Sequence, residues 1–156
     1  MATKIEKNID LSKWQTLEDE LLKLANKHVV VGVPASNNSR SDGVTNALIA
    51  AVHELGVPEL NIAERSFLRA SLTGNQGKYI RLNAENFKRV LNHQMSIDQA
   101  LNVLGLIAAG DVKAFIANGD FTPLKPETIK RKGSSKPLID TGELRQSITY
   151  EVRNND

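Results

Sequence analysis

"KPLIDTGELRQSITYEV", residues 136–152, decides how the rest of the chain is read. Asp140 followed three residues later by Glu143 has the D-x-x-E form of a capping box, which predicts a short helical turn. From Ser147 the pattern changes, and Ile148, Tyr150 and Val152 alternate with Ser147, Thr149 and Glu151. Period-two alternation marks a strand with one buried and one wet face. The segment holds no nucleophile, base or metal ligand beyond ordinary acids. It reads as a structural hinge leading into a sheet.

The other clear strand signal lies upstream. "HVVVGVP", residues 28–34, sets four valines around Gly32 and closes on Pro34, which favours a short buried strand over a helix. Most of the remaining chain reads as helix. "LSKWQTLEDELLKLANK", residues 11–27, follows Asp10, a good N-cap, and repeats Trp14, Leu17, Leu21 and Leu24 at three and four residues. That seam can bury against its own domain or against a neighbouring subunit. "VTNALIAAVHELG", residues 44–56, is predicted as a helix capped by Asp42 or Thr45. Its apolar side is Leu48, Val52 and Leu55, and Gly56 with Pro58 stops it.

"NIAERSFLRASL", residues 61–72, alternates partly and predicts a strand or an extended segment, after which "TGNQGK" breaks the chain. A helix is predicted from Asn83 to about Met95 with Phe87, Val90 and Leu91 on a narrow face. "SIDQ" at Ser96 is a capping box opening a further helix to about Ala117. Ile97, Ala100, Leu101, Leu104, Ile107 and Ala108 give it the broadest apolar stripe, and Asn118-Gly119 predicts a left-handed cap. Gly105 and Gly110 inside it each cost about 1 kcal/mol relative to Ala and would allow another backbone to pack closely.

Two polar segments stand out. Residues 35–43, "ASNNSRSDG", predict a mobile surface loop. Residues 121–137, "FTPLKPETIKRKGSSKP", carry three of the five prolines and five basic residues against one Glu. Pro126 suits the start of a short helix and Gly133 its end, with an exposed, flexible basic loop around them.

Bulk composition bounds the function. A chain of 156 residues, 40% hydrophobic and 24% charged, fits one globular domain spanning residues 1–156. Aromatics are 4%, so Leu, Ile, Val and Ala must build the core. A formal charge of +2 is too small to imply nucleic-acid binding by itself. The zero cysteine count excludes disulfides and thiolate metal sites. No apolar run approaches the ~20 residues of a membrane span, and the first residues lack a signal-peptide core, so a cytoplasmic site of assembly is expected.

Catalytic readings fail on spacing. His53-Glu54 suggests a zinc protease helix, but the second His should stand at 57, where Val is found. His28 and His93 have no acid cluster near them in sequence. Ser134-Ser135 beside Lys136 lies in a loop rather than a rigid turn, and "GNQGK" lacks phosphate-loop spacing. Asp98, Asp111 and Asp120 do not form a calcium loop. No enzyme, cofactor or metal is expected. The strongest electrostatic feature is Lys125, Lys130, Arg131, Lys132 and Lys136, a solvated loop or a contact for an acidic partner or DNA phosphates.

The ordered set "VVVGVP", "NALIAAVHELG", "NIAERSFLR" and "FTPLKPETIKRKGSSKPLIDTGELRQSITYEV" covers roughly residues 29–152. It resembles the virion morphogenesis proteins of tailed bacteriophages, the neck or tail-completion proteins between head connector and tail tube. "HELG" with "ERSFLR", and "PLIDTGELRQSI", are its most specific parts. Family members commonly show His-Glu-Phe-Gly and then Pro-Ala-Arg-Pro-Phe. Here Leu55 replaces the aromatic, and Glu64, Arg65, Ser66 and Phe67 replace the Pro-rich run.

The resemblance implies an α+β fold: a small, mostly antiparallel sheet with several helices, including a long amphipathic N-terminal one. It implies no catalysis, and a ring of subunits, often a hexamer, around a DNA channel in a virion assembled in the host bacterial cytoplasm. Expected partners are copies of the chain itself, the head connector and tail proteins, with DNA passing close by and no membrane. On this reading Trp14, Leu17, Leu21, Arg65, Phe67 and Arg69 are expected at subunit contacts. Lys125, Lys130, Arg131, Lys132 and Lys136 are expected at a partner protein or the channel, and the loops 35–43 and 121–137 order on docking. The alternative is a nucleic-acid-binding module using residues 125–136.

Overall fold

The valine run and the closing strand find each other. In the computed structural model, which describes residues 11–155 apart from 41, 42, 134 and 140, β1 (Lys27–Gly32) and β2 (Thr149–Asn154) pair antiparallel. Val29 lies opposite Val152 and Val31 opposite Tyr150, so the alternation read in "SITYEV" points one row of side chains to a common face. A two-stranded sheet is marginal alone and needs a helix on that face. α5 (Ile97–Asn118) supplies it, packing on both strands.

The other helices among the described residues are α1 (Leu11–Ala25), α2 (Asn46–Leu55), α3 (Phe67–Gly74), α4 (Gln76–Leu91), α6 (Pro126–Lys132) and α7 (Glu143–Ser147). The fold is α+β, a small antiparallel sheet with several helices. α1, α3 and α4 all rest on α5, which makes it the hub. One core gathers Phe67, Val112, Ile116, Leu138, Leu144 and Ile148; a second gathers Val90, Ile97, Ala100 and Leu101, with Val29 and Val152 against it.

α5 begins as its sequence predicts. Ser96 accepts from the Gln99 amide while the Gln99 side chain accepts from the Ser96 amide, at 3.2 and 2.9 Å. Gly105 is where Tyr150 lies against the helix: a Cβ there would sit 2.2 Å from the ring. The close neighbour is thus an aromatic side chain rather than a backbone. Gly110 has no atom within 4 Å of such a Cβ, so packing does not explain it. Gly119 is not left-handed, with φ −67°, ψ 151°. It is needed because a Cβ would meet the Phe115 carbonyl at 2.6 Å and the Phe121 ring at 3.0 Å. α5 is also the one described helix long and apolar enough to cross a membrane by length and composition, against the sequence expectation. Here it forms the centre of the chain.

Other expectations need correction. Residues 61–72 are not extended: a 3₁₀ turn at Pro58–Leu60 and a Val57–Ile62 bridge lead into α3 at Phe67. "TGNQGK" hardly interrupts, since α4 starts at Gln76, far ahead of Asn83. α4 stops at Leu91 rather than near Met95, where His93 takes φ 56° and turns the chain toward Ser96. Thr45 caps α2 by accepting from the Leu48 amide at 3.2 Å, whereas Asp42 lies outside the described residues. The inward side of α2 holds Asn46, Ile49 and Ala50, while Leu48 and Leu55 face solvent. At the closing turn Gly142, with φ 82°, is the N-cap of α7, so Glu143 is its first residue and no capping box forms with it. Asp140 and Asp10, the other predicted cap, lie outside the described residues.

Candidate interaction surface

"HELG" and "ERSFLR" fold into one joint between α2 and α3. The Glu54 carboxylate accepts from the Leu68 and Arg69 amides at 2.8 and 3.0 Å and from the Ser66 hydroxyl at 2.7 Å. It caps the start of α3, where amides have no intrahelical partner. The Arg65 amide donates to the His53 carbonyl at 2.7 Å. Gly56 sits at φ 71°, and a Cβ there would lie 2.8 Å from the Glu64 nitrogen, so the turn demands glycine. "HELG" and "ERSF" are therefore two halves of a cap.

That joint turns two expected contact residues inward. Phe67 is fully buried in the core. Arg65 is 8% exposed and donates to the carbonyls of Thr122, Pro123 and Ala63 at 2.9, 3.3 and 3.3 Å. Burial lowers its pKa, and the three carbonyls compensate the desolvated guanidinium. Arg65 and Phe67 are both buried within this chain and hold it together. Arg69 remains on the surface, paired with Glu64.

A mostly apolar opening lies elsewhere. Between α1 and α4, with α5 as floor, is a cavity of about 360 Å³ lined by Leu24, Phe87, Val90, Ile97, Ala100 and Leu101. Asn86 also lines it, 4% exposed, and its Nδ2 finds no acceptor. Buried donors are almost always paired, so this amide is an exception in need of a cause. The same two helices carry exposed apolar side chains: on α1 Trp14 is 65% and Leu21 41% exposed, and on α4 Ile80 is 62% and Leu91 42% exposed. Leu17 is half-buried. Only α1 and α4 bring these residues together, and no sequence window contains both.

Glu20 ties α1 to the floor, accepting from the Ile97 amide at 2.6 Å and from Lys23 at 2.8 Å. Those two hydrogen bonds, the amide first, hold the Glu20 carboxyl below its usual pKa. Lys27 pairs with Asp98 next to it. On the far side of α4, Lys78 donates to both Asp111 oxygens at 2.7 and 2.8 Å and Tyr79 donates to one at 3.1 Å. Burial, then that hydrogen bond, raises the Tyr79 pKa.

In the basic segment, Pro126 and Gly133 bound α6, Gly133 at φ 71°. Lys125, Lys130 and Lys136 are exposed, while the side chains of Arg131 and Lys132 lie outside the described residues. Phe121 packs edge-on to Phe115, centroids 5.3 Å apart, so this segment is anchored at its start. The loop from residue 35 is anchored as well: Asn38 accepts from the Ala47 amide at 2.7 Å, and Arg40 pairs with Glu143 at 2.8 Å. Among the described residues no three His, Asp or Glu side chains gather to hold a metal ion. Comparison with protein-family models, with curated proteins and with solved structures finds no match.

Proposed function

We propose that this chain is a structural virion protein of a tailed phage or prophage, acting in head–tail joining or tail completion at the neck. It works by forming a ring with copies of itself and docking to the head connector and tail proteins. The observation that carries this reading is the uncovered apolar surface on α1 and α4, including Trp14, Leu21, Ile80 and Leu91. Contiguous exposed apolar surface of this kind marks an interaction site. The order of "HELG", "ERSFLR" and "PLIDTGELRQSI" supplies the particular setting.

Deleting the coding segment from the phage that carries it, followed by electron microscopy of the lysate, tests the proposal. Filled heads and separate tails are the expected products, rejoined when the purified protein is added. Normal infectious particles from the deletion would defeat it. The exposure of Lys125, Lys130 and Lys136 on one segment favours the second reading, a nucleic-acid-binding module. That reading requires duplex DNA binding that weakens steeply with salt and is lost on neutralising Lys125, Lys130 and Lys136.

A further inference from the structure

We propose that α1 of one copy lies antiparallel to α4 in the α1–α4 groove of the next copy, a head-to-tail contact built from an apolar ridge and a matching furrow. The inference rests on the self-assembly part of the proposed function and gives that contact its residues. Trp14, Leu17, Leu21 and Leu24 recur at spacings of three, four and three along α1; Ile80, Ala84, Phe87 and Leu91 recur at four, three and four along α4. Both are the seams of coiled-coil packing, in which such residues insert between those of a facing helix. Neither is covered by its own chain: Trp14 and Ile80 are 65% and 62% exposed, and Ala84 faces solvent. The helices have 15 and 16 residues, so each runs about 22–24 Å and they match in length.

Charge fixes the partner and the direction. Glu18 directly follows Leu17 on the α1 seam, and Asp19 stands beside it. Arg81 and Lys88 directly follow Ile80 and Phe87 on the α4 seam. All four are exposed. These are the same flank of each seam, and equivalent flanks face one another when two helices run antiparallel. An acidic helix edge thus meets a basic one, which a second copy of this chain provides without any other protein. Where the ridge of one copy enters the furrow of the next without the reciprocal contact, the interface is heterologous and repeats until a rotation closes it into a ring.

Sedimentation equilibrium of the purified full chain tests this, at about 100 μM protein and low salt, where a contact with a Kd near 10 μM would be mostly occupied. The expected result is an assembly larger than a dimer that dissociates as salt rises. Leu21→Glu and Phe87→Glu, both at exposed positions, should each give folded monomer by circular dichroism. Mixing the two should give a dimer and nothing larger, because one ridge and one furrow remain intact. Reversing charge on one side only (Glu18→Lys with Asp19→Lys, or Arg81→Glu with Lys88→Glu) should weaken association about tenfold or more, and combining both sides should restore it. A wild-type monomer, a wild-type assembly that stops at a dimer, or an oligomer indifferent to both apolar variants overturns the contact. A chain that self-associates in this way while its phage assembles without it would instead overturn the neck reading alone.

Discussion

At the scale of single residues, two polar groups, one half-buried and one buried, behave in opposite ways. Glu54 has three donors and holds α3 to the end of α2. Glu54→Ala would leave amides at the start of a helix unsatisfied, a loss of about 1–2 kcal/mol that thermal melting will read as a lower Tm. Asn86 has no partner for its Nδ2, and an unsatisfied buried donor costs about 1–3 kcal/mol. Asn86→Leu removes that donor and keeps the volume close, so the isolated chain should melt at the same temperature or higher. A lower melting temperature would mean that the packing of the Asn86 side chain outweighs its unpaired donor. Phe67, fully buried, behaves conventionally: Phe67→Ala should cost about 3–5 kcal/mol. Leu138 combines both themes, with its side chain in the core and its backbone at φ 60°, a conformation that leucine rarely takes. Nothing in "KPLID" announced either role.

Among the elements, what was legible in sequence is what is local. Ser96 and Gln99 lie three apart and form their capping box regardless of the rest of the chain, so α5 could be read with its start. Pro126 and Gly133 set the bounds of α6 for the same reason. α3 could not be read, because its cap is a carboxylate from another helix and Ser66 makes no side-chain cap. Arg65 looked like a surface cation for a similar reason: two of its carbonyl acceptors, Thr122 and Pro123, are remote in sequence. The docking of α1 uses two comparable long-range bonds, from the Ile97 amide to Glu20 and from the Asn155 side-chain amide to the Ala25 carbonyl at its end. Since folding depresses the Glu20 pKa, its contribution is full above the ordinary Glu value near 4.3 and is lost as pH falls through the lower folded value. The protection of α1 amides, relative to their intrinsic exchange at each pH, should therefore fall selectively below about pH 4, before the rest of the chain loosens, and Glu20→Gln should show weaker α1 protection already at neutral pH. Uniform protection of α1 across that pH range would remove Glu20 as the latch.

For the whole molecule the decisive fact is that its sheet joins the two ends of the described chain. β2 covers α5 with Tyr150 on Gly105 and Val152 against the second core, and β1 packs on the same helix beside it through Val29. The α+β class was readable from "HVVVGVP" and "SITYEV" separately, but their pairing was not, since no local signal links segments so far apart. The surface of interest was hidden for the same reason: its ridge and furrow sit on α1 and α4, neighbours only through α5. Long-range closure of this kind makes cooperativity depend on the last strand. A chain ending at Ile148 keeps every described helix but leaves the backbone of β1 unpaired and uncovers the face of α5 around Gly105. Neither α1 nor α3 can move to fill that space, because Glu20 fixes one to the start of α5 and Glu54 fixes the other to α2. The truncated chain should retain helical circular dichroism while losing a sharp thermal transition, and it should bind hydrophobic dyes at the exposed strand and helix. A truncated chain that still melts sharply would mean that the helices alone make the cooperative unit and that the sheet is only an appendage to it.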